Sequence, residues 1–254
     1  MNPLRHSLLA AASLCLASTG MANPLRAVIC ECDSPPMVEF ADVARSKPAG
    51  GLIKDMVDLI AGQLKMPTQY IVLSRRRVDL ALRQGHVDLV CFTSRQWTSQ
   101  PEDLLWTGPT VPQVERILLH RQDKLDVRGY QDLRGLNIGL MLGFHYPPLE
   151  PMLRDGSLRA TYQTDHVANF RLLERHLVGA VISTDLQIAL YLKNNPEAKS
   201  QLVMSDLVFS TTPTECAIPK ASPINANKVI QAVQQLRERG AFDQLMETYR
   251  SPLQ

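Results

Sequence analysis

The sequence lacks any stretch of about 20 apolar residues, so it offers no helix that could cross a bilayer. It also lacks an excess of charge of either sign. Its 254 residues carry 27 Lys and Arg against 25 Asp and Glu, which argues against a nucleic-acid binder that works by bulk electrostatics. With 5 Cys the chain is too poor in thiols for a small disulfide scaffold, and 45% apolar content is too high for a disordered chain. Catalytic signatures are missing as well. There is no Gly-x-Ser-x-Gly, Gly-x-Gly-x-x-Gly, Walker loop or His-Glu-x-x-His, so hydrolase, dinucleotide, nucleotide and metalloprotease readings lose their usual anchors. His86, His120, His145, His166 and His176 are scattered, with no pair at the spacing that sets two imidazoles on one helix face. No metal, cofactor or catalytic residue is therefore assigned.

What is present begins at the amino terminus. Arg5 and His6 precede an apolar run of about ten residues, which ends at Gly20-Met21-Ala22. This pattern predicts a signal peptide over 1–22, cleaved before Asn23, and export to the periplasm. Beyond Cys15 the chain holds Cys30, Cys32, Cys91 and Cys216, an even number in a compartment that permits disulfides. Four cysteines allow three pairings. Two cysteines alternating on one extended strand are poorly placed to bridge to each other, so the expected bridge is Cys32 to Cys91. The alternative for Cys91 and Cys216 is that both are small core residues.

Apolar, β-branched stretches alternate with helical ones almost throughout. The expected strands are 25–30, 69–74, 87–92, 115–120, 137–141, 179–182 and 215–218. Leu52, Ile53, Met56, Val57, Ile60 and Leu64 recur at helical spacing, and shorter helices are marked by Val78 to Leu82, by Phe170 to Leu177 and by Ile188 to Leu192. A last helix is expected from an N-cap at Ser222, with Pro223 at its first position, to Gly240. A βα alternation calls for parallel sheets covered by helices on both faces, hence an α/β fold. One unit occurs twice: Ala81-Leu-Arg-Gln-Gly-His-Val-Asp-Leu-Val90 aligns without gaps with Leu172-Leu-Glu-Arg-His-Leu-Val-Gly-Ala-Val181, as helix end, turn and buried strand. Two similar lobes are expected, the first over 23–116 and 214–254, the second over 117–213, with a ligand cleft at the hinge.

In open parallel sheets ligands bind beyond the carboxyl ends of the strands. The residues found there are polar and aromatic: Asp33 and Ser34; Arg75, Arg76 and Arg77; Thr93, Ser94, Arg95 and Trp97; Phe144, His145 and Tyr146; and Asp185. They supply fixed positive charge, hydroxyl donors and aromatic walls, which is how a concave site orients a small polar solute. Arg75, Arg77, Thr93, Ser94, Arg95, Trp97, Phe144, His145, Tyr146 and Asp185 are the expected ligand-binding residues.

These residues lie among motifs that resemble the periplasmic solute-binding proteins of the polar amino-acid type, family 3. The marks are Ser34-Pro35-Pro36, Gly51-Leu-Ile-Lys-Asp-Met-Val-Asp-Leu-Ile60, Leu82-Arg-Gln-Gly-His-Val-Asp-Leu-Val90, Leu105-Trp-Thr-Gly-Pro109 and Tyr130-Gln-Asp-Leu-Arg-Gly-Leu-Asn-Ile-Gly139. The resemblance implies two α/β lobes on two hinge strands, a small-molecule solute in the cleft and an ABC permease as partner. It implies no nucleic acid, and a monomer. The family's carboxylate-binding Arg falls at Gln100, with Arg95 nearby; its acidic residue for the ammonium group falls at Thr184, beside Asp185; its small hydroxyl positions fall at Phe144 and His145. The expected solute is accordingly carboxylate-bearing or otherwise anionic, with Arg95 and the Arg75 group as charge partners. An orphan sensor or binding domain, and an enzyme of the cyclohexadienyl dehydratase type with His145 or Asp185 as acid or base, are the alternatives.

Overall fold

A computed structural model describes residues 23–251; the expected signal segment over 1–22 lies outside the described residues. In chain order the elements are β1 (Leu25–Cys30), β2 (Glu39–Phe40), β3 (Pro48–Gly50), α1 (Leu52–Leu64), β4 (Thr68–Leu73), α2 (Arg75–Arg83), β5 (Leu89–Thr93), β6 (Leu104–His120), β7 (Asn137–Met141), α3 (Glu150–Arg154), β8 (Arg159–Gln163), α4 (His166–Glu174), β9 (Ala180–Thr184), α5 (Asp185–Asn194), α6 (Pro196–Gln201), β10 (Leu202–Pro219), α7 (Ala226–Glu238) and α8 (Ala241–Arg250). No helix among the described residues is long and apolar enough to cross a membrane.

Eight strands make one hydrogen-bonded sheet in the order β4-β1-β5-β10-β6-β9-β7-β8. Its two ends are parallel: β1 pairs with β4 and β5, and β7 pairs with β8 and β9. The middle is a long antiparallel ribbon of β6 and β10, running from Leu202 opposite His120 to Pro219 opposite Leu104. Each end is covered by helices on both faces, and the alternation of side chains along a strand feeds two cores. On β1, Leu25, Ala27 and Ile29 join a cluster with α1 and α7, while Val28 joins Val78 and Leu82 of α2 on the other face. On β9, Ala180 and Ile182 face one core and Val181 the other. The result is a two-lobed α/β fold.

The repeat read in the sequence is a repeated structure, down to its hydrogen bonds. After α2, Gly85 N–H donates to Leu82 O and His86 N–H to Ala81 O; after α4, His176 N–H donates to Leu173 O and Leu177 N–H to Leu172 O. Both pairs are the closing bonds of a Schellman turn, which needs a left-handed residue at its corner. Gly85 (φ 64°) and His176 (φ 53°) occupy those corners.

Two expectations are corrected. The Cys32–Cys91 bridge does not form; the disulfides are Cys30–Cys32 and Cys91–Cys216. The chain turns at Glu31 and Cys32 instead of continuing β1, which draws the Cys30 and Cys32 Cα atoms to 5.1 Å, nearer than the roughly 6.5 Å of an extended pair. Cys91 meets Cys216 because β10 enters the sheet beside β5, a neighbour far away in sequence. The last helix is also shifted. Its N-cap is Asn225, whose side chain accepts from Lys228 N–H, and it begins at Ala226. Ser222 is drawn away because its hydroxyl donates to Asp88 Oδ1 at 2.6 Å.

Asp88 is where β1, the start of β5 and the segment after β10 are held together. Its Oδ1 accepts from Arg26 Nη2 at 2.7 Å and its Oδ2 from Arg26 Nε at 2.9 Å and the Arg26 backbone N–H at 3.0 Å. Burial alone would raise its pKa, but the hydrogen bonds from Arg26 and Ser222 hold the carboxyl below the usual range. That contribution is present at neutral pH and is lost only as acid titrates the lowered group. Asp88→Ala is expected to cost about 2–3 kcal/mol, a fall in melting temperature of roughly 4–12 °C by calorimetry at pH 7. A melting temperature unchanged within a degree would show that this cluster holds nothing.

Candidate functional site

The carboxyl ends of the two parallel strand groups face each other. From the first half come the Cys30–Cys32 turn and Asp33 after β1, Arg75 after β4, and Thr93 and Trp97 after β5. From the second half come Gly143, Phe144 and His145 after β7, His166 after β8, and Thr184 and Gln187 around the β9–α5 junction. Gln113 and Glu115 of β6 complete the walls. Together they enclose a cavity of about 120 Å³.

Local chemistry sets each wall. Two N–H groups at the α1 N-terminus are already paired: Leu52 and Ile53 N–H donate to the carbonyls of Pro36 and Met37 at 3.0 Å each. A methyl group on Gly51 would stand 2.6 Å from Met37 O, so only glycine lets the loop lie on the helix there. Arg75, at the first position of α2, lines the cavity and donates from Nη2 to Trp97 O at 2.9 Å. It nearly meets the second half, since a methyl on Gly143 would lie 3.7 Å from Arg75 Cγ. A direct bond crosses between the halves: Gln187 Nε2 donates to Ser34 Oγ at 3.0 Å. Gln187 Oε1 in turn accepts from Thr184 Oγ1 at 2.8 Å and Ser183 Oγ at 3.3 Å, and Ser183 Oγ lies 2.9 Å from His166 Nδ1.

The cavity holds charge of both signs. Burial pushes Asp33 up to about 6, while a backbone hydrogen bond from Cys30 and the charges of Arg45 and Arg75 pull it back down. Glu115 is likewise raised by burial, against a 2.6 Å hydrogen bond donated by Ser210. Burial lowers His166 to about 4, so it is a neutral hydrogen-bonding group at pH 7. One guanidinium and two carboxyls whose pKa values are raised by burial therefore line one recess, where each interaction is stronger than at an open surface.

The expected residues separate into two groups. Arg75, Thr93, Trp97, Phe144 and His145 line the cavity. The others do not. Arg77 is exposed on the outer side of α2. Arg95 is drawn aside by an ion pair with Glu215 at 3.1 Å and lies over the Trp106 ring. Ser94 is buried, with its carbonyl accepting from Trp97 N–H. Tyr146 packs in the core of the second half with its hydroxyl accepting from Met141 N–H at 3.1 Å, and Asp185 turns its carboxylate back onto Leu186 N–H at 2.8 Å. Gln113, Glu115, His166 and Gln187 line the cavity without having been expected there. Glu115 did leave a sequence signal, as a lone carboxyl in the apolar run of β6.

No family model matches the sequence, and the search of curated proteins found no match. Solved structures do resemble it. An ancestral arginine-binding protein bound to arginine superposes with a TM-score of 0.74 at 20% identity, over 90% of this chain and 99% of that one. The GluR0 ligand-binding core from Nostoc punctiforme in complex with L-glutamate gives 0.69 at 18% identity, over 89% and 99%. The substrate-binding protein of an amino-acid ABC transporter gives 0.68 at 15% identity, over 89% and 99%. These neighbours are amino-acid-binding proteins of the kind the sequence motifs resemble, and the chain shares their two-lobed fold.

Proposed function

We propose that this chain is an exported solute-binding protein whose cleft holds a small zwitterion of amino-acid chemistry. The observation that carries the reading is the pairing of Arg75 with Asp33 and Glu115 on the walls of one small cavity. Arg75 suits a carboxylate, through charge-assisted hydrogen bonds, and the two carboxyls suit an ammonium group. The cavity lies below the several hundred Å³ typical of drug-sized ligands, which favours a single amino acid over a peptide or nucleotide. Lobes of 23–116 with 214–254 and of 117–213 would close on it about the β6–β10 ribbon, and the Ser34–Gln187 bond is a latch suited to the closed state. Pairing of all four described cysteines fits an oxidising compartment, and delivery to an ABC permease completes the proposed role. Compared with the anionic solute expected from the sequence, the change is the amine, which the carboxyls of Asp33 and Glu115 on the cavity wall call for.

Two outcomes are expected. Thermal-shift screening of the chain against the amino acids should show stabilisation by a subset of them, and Arg75→Ala, with its fold checked by circular dichroism, should weaken the best solute by roughly 10- to 100-fold. Unchanged affinity in Arg75→Ala, or stabilisation by anions without an amine only, would overturn the reading. Affinity should also fall on acidification. The attraction of Asp33 for an ammonium group is present above its pKa of about 6 and is lost as pH drops through it, so binding measured calorimetrically should weaken from pH 7.5 to pH 5. Asp33→Asn should flatten that profile; a profile as steep as the parent's would remove Asp33 from the site.

A further inference from the structure

The sheet carries a second cluster of chemistry-bearing side chains, at the amino ends of β7 and β9 and away from the cleft. His120 closes β6, Asp123 stands in the single 3₁₀ turn Arg121–Asp123 that follows, and His176 is the left-handed corner after α4. His176 is far from the other two in sequence, yet the two imidazole rings lie 3.9 Å apart between centroids, and His176 Nδ1 is 3.5 Å from Asp123 Oδ1. One ligand atom from each of the three lies within 4.8 Å of the others. His120 is 2% exposed, whereas Asp123 and His176 open onto a groove of about 860 Å³.

The corner itself points to a role for the imidazole. In the matching turn of the first half the same backbone bonds close on Gly85, the residue that left-handed geometry favours. The second half places a histidine there instead, in a conformation that costs a side chain of order 1 kcal/mol. We propose that His120, Asp123 and His176 form a three-ligand site for a divalent transition cation such as Zn²⁺. Two imidazole nitrogens and one carboxylate suit Zn²⁺, Ni²⁺ or Cu²⁺, whereas Mg²⁺ and Ca²⁺ favour oxygen ligands. Tetrahedral bonds of about 2.0–2.1 Å place ligand atoms about 3.3 Å apart, so the cluster needs a contraction by the exposed Asp123 and His176 side chains, and a metal bond from His120 replaces the 3.3 Å hydrogen bond that its Nδ1 accepts from Gln122 N–H. The groove leaves the fourth position open to water. Bound there, the cation would tie the end of β6 to the turn that launches β9.

Calorimetric titration of ZnCl₂ into the chelator-treated full chain tests this. One saturable equivalent is expected, with no comparable binding of Mg²⁺ or Ca²⁺, and His176→Gly and Asp123→Asn should each weaken it by about tenfold or more. His176→Gly places the favoured residue in the left-handed corner, so its metal-free melting temperature should equal or exceed the parent's, and Zn²⁺ should raise the melting temperature of the parent alone. Absence of a saturable zinc isotherm in the parent, or parental affinity in both variants, would overturn the proposal.

Discussion

The antiparallel ribbon of β6 and β10 is the constraint on which the rest of the molecule depends. It is the only pair of strands in the described sheet that runs through both halves, with its backbone hydrogen bonds contributing to both. Every parallel strand joins the sheet on one side of it or the other. Because the ribbon carries the chain across, the carboxyl ends of β1, β4 and β5 confront those of β7, β8 and β9, and a cleft arises from topology before any side chain is chosen. The ribbon also supplies two cleft residues itself, Gln113 and Glu115, from the stretch where Pro112 lies opposite Pro213. A proline donates no ladder hydrogen bond, so this pair is a point where the ribbon is easier to bend.

The same topology settles the electrostatics. Entry of β10 between β5 and β6 brings Glu215 within reach of Arg95, which removes that guanidinium from the cleft, and brings Cys216 against Cys91. Arg75, Asp33 and Glu115 are left on the walls of one small cavity. A carboxylate alone would satisfy Arg75 and leave two buried carboxyls uncompensated; a cation alone would leave Arg75 without its partner. A zwitterion satisfies both, and the Gln187 chain of hydrogen bonds to Ser34, Thr184 and Ser183 shows that the second half reaches the first through polar groups already paired.

Much of the fold was legible because burial on both faces writes continuous apolar runs. β1 and β7 fall at the bounds expected for them, 25–30 and 137–141, and the helix-turn-strand repeat is visible as a repeated string. β8 left little trace, being a sheet-edge strand with polar and exposed positions, and β6 and β10 extend beyond their apolar cores because prolines and bulges interrupt the alternation without ending the pairing. The cleft was half legible. Residues that follow strands, such as Arg75, Thr93 and Phe144, could be found by position. Arg95, Tyr146 and Asp185 stand in equally suggestive positions, but each is turned away by a partner: Glu215 distant in sequence, and backbone N–H groups close by. Gln187 and His166 sit at helix starts with no motif around them. Pairings between distant residues, including both disulfides and the His120–His176 stack, depend on sheet order and on turns that local periodicity does not encode.

The cleft is proposed to recognise a carboxylate and an ammonium group on one small molecule. Native mass spectrometry of the protein after incubation with a mixture of amino acids and simple organic acids reads this directly. One adduct is expected, whose released solute carries both groups and which disappears in Arg75→Ala. Adducts formed only by solutes lacking an amine, or no adduct from the mixture, would contradict it.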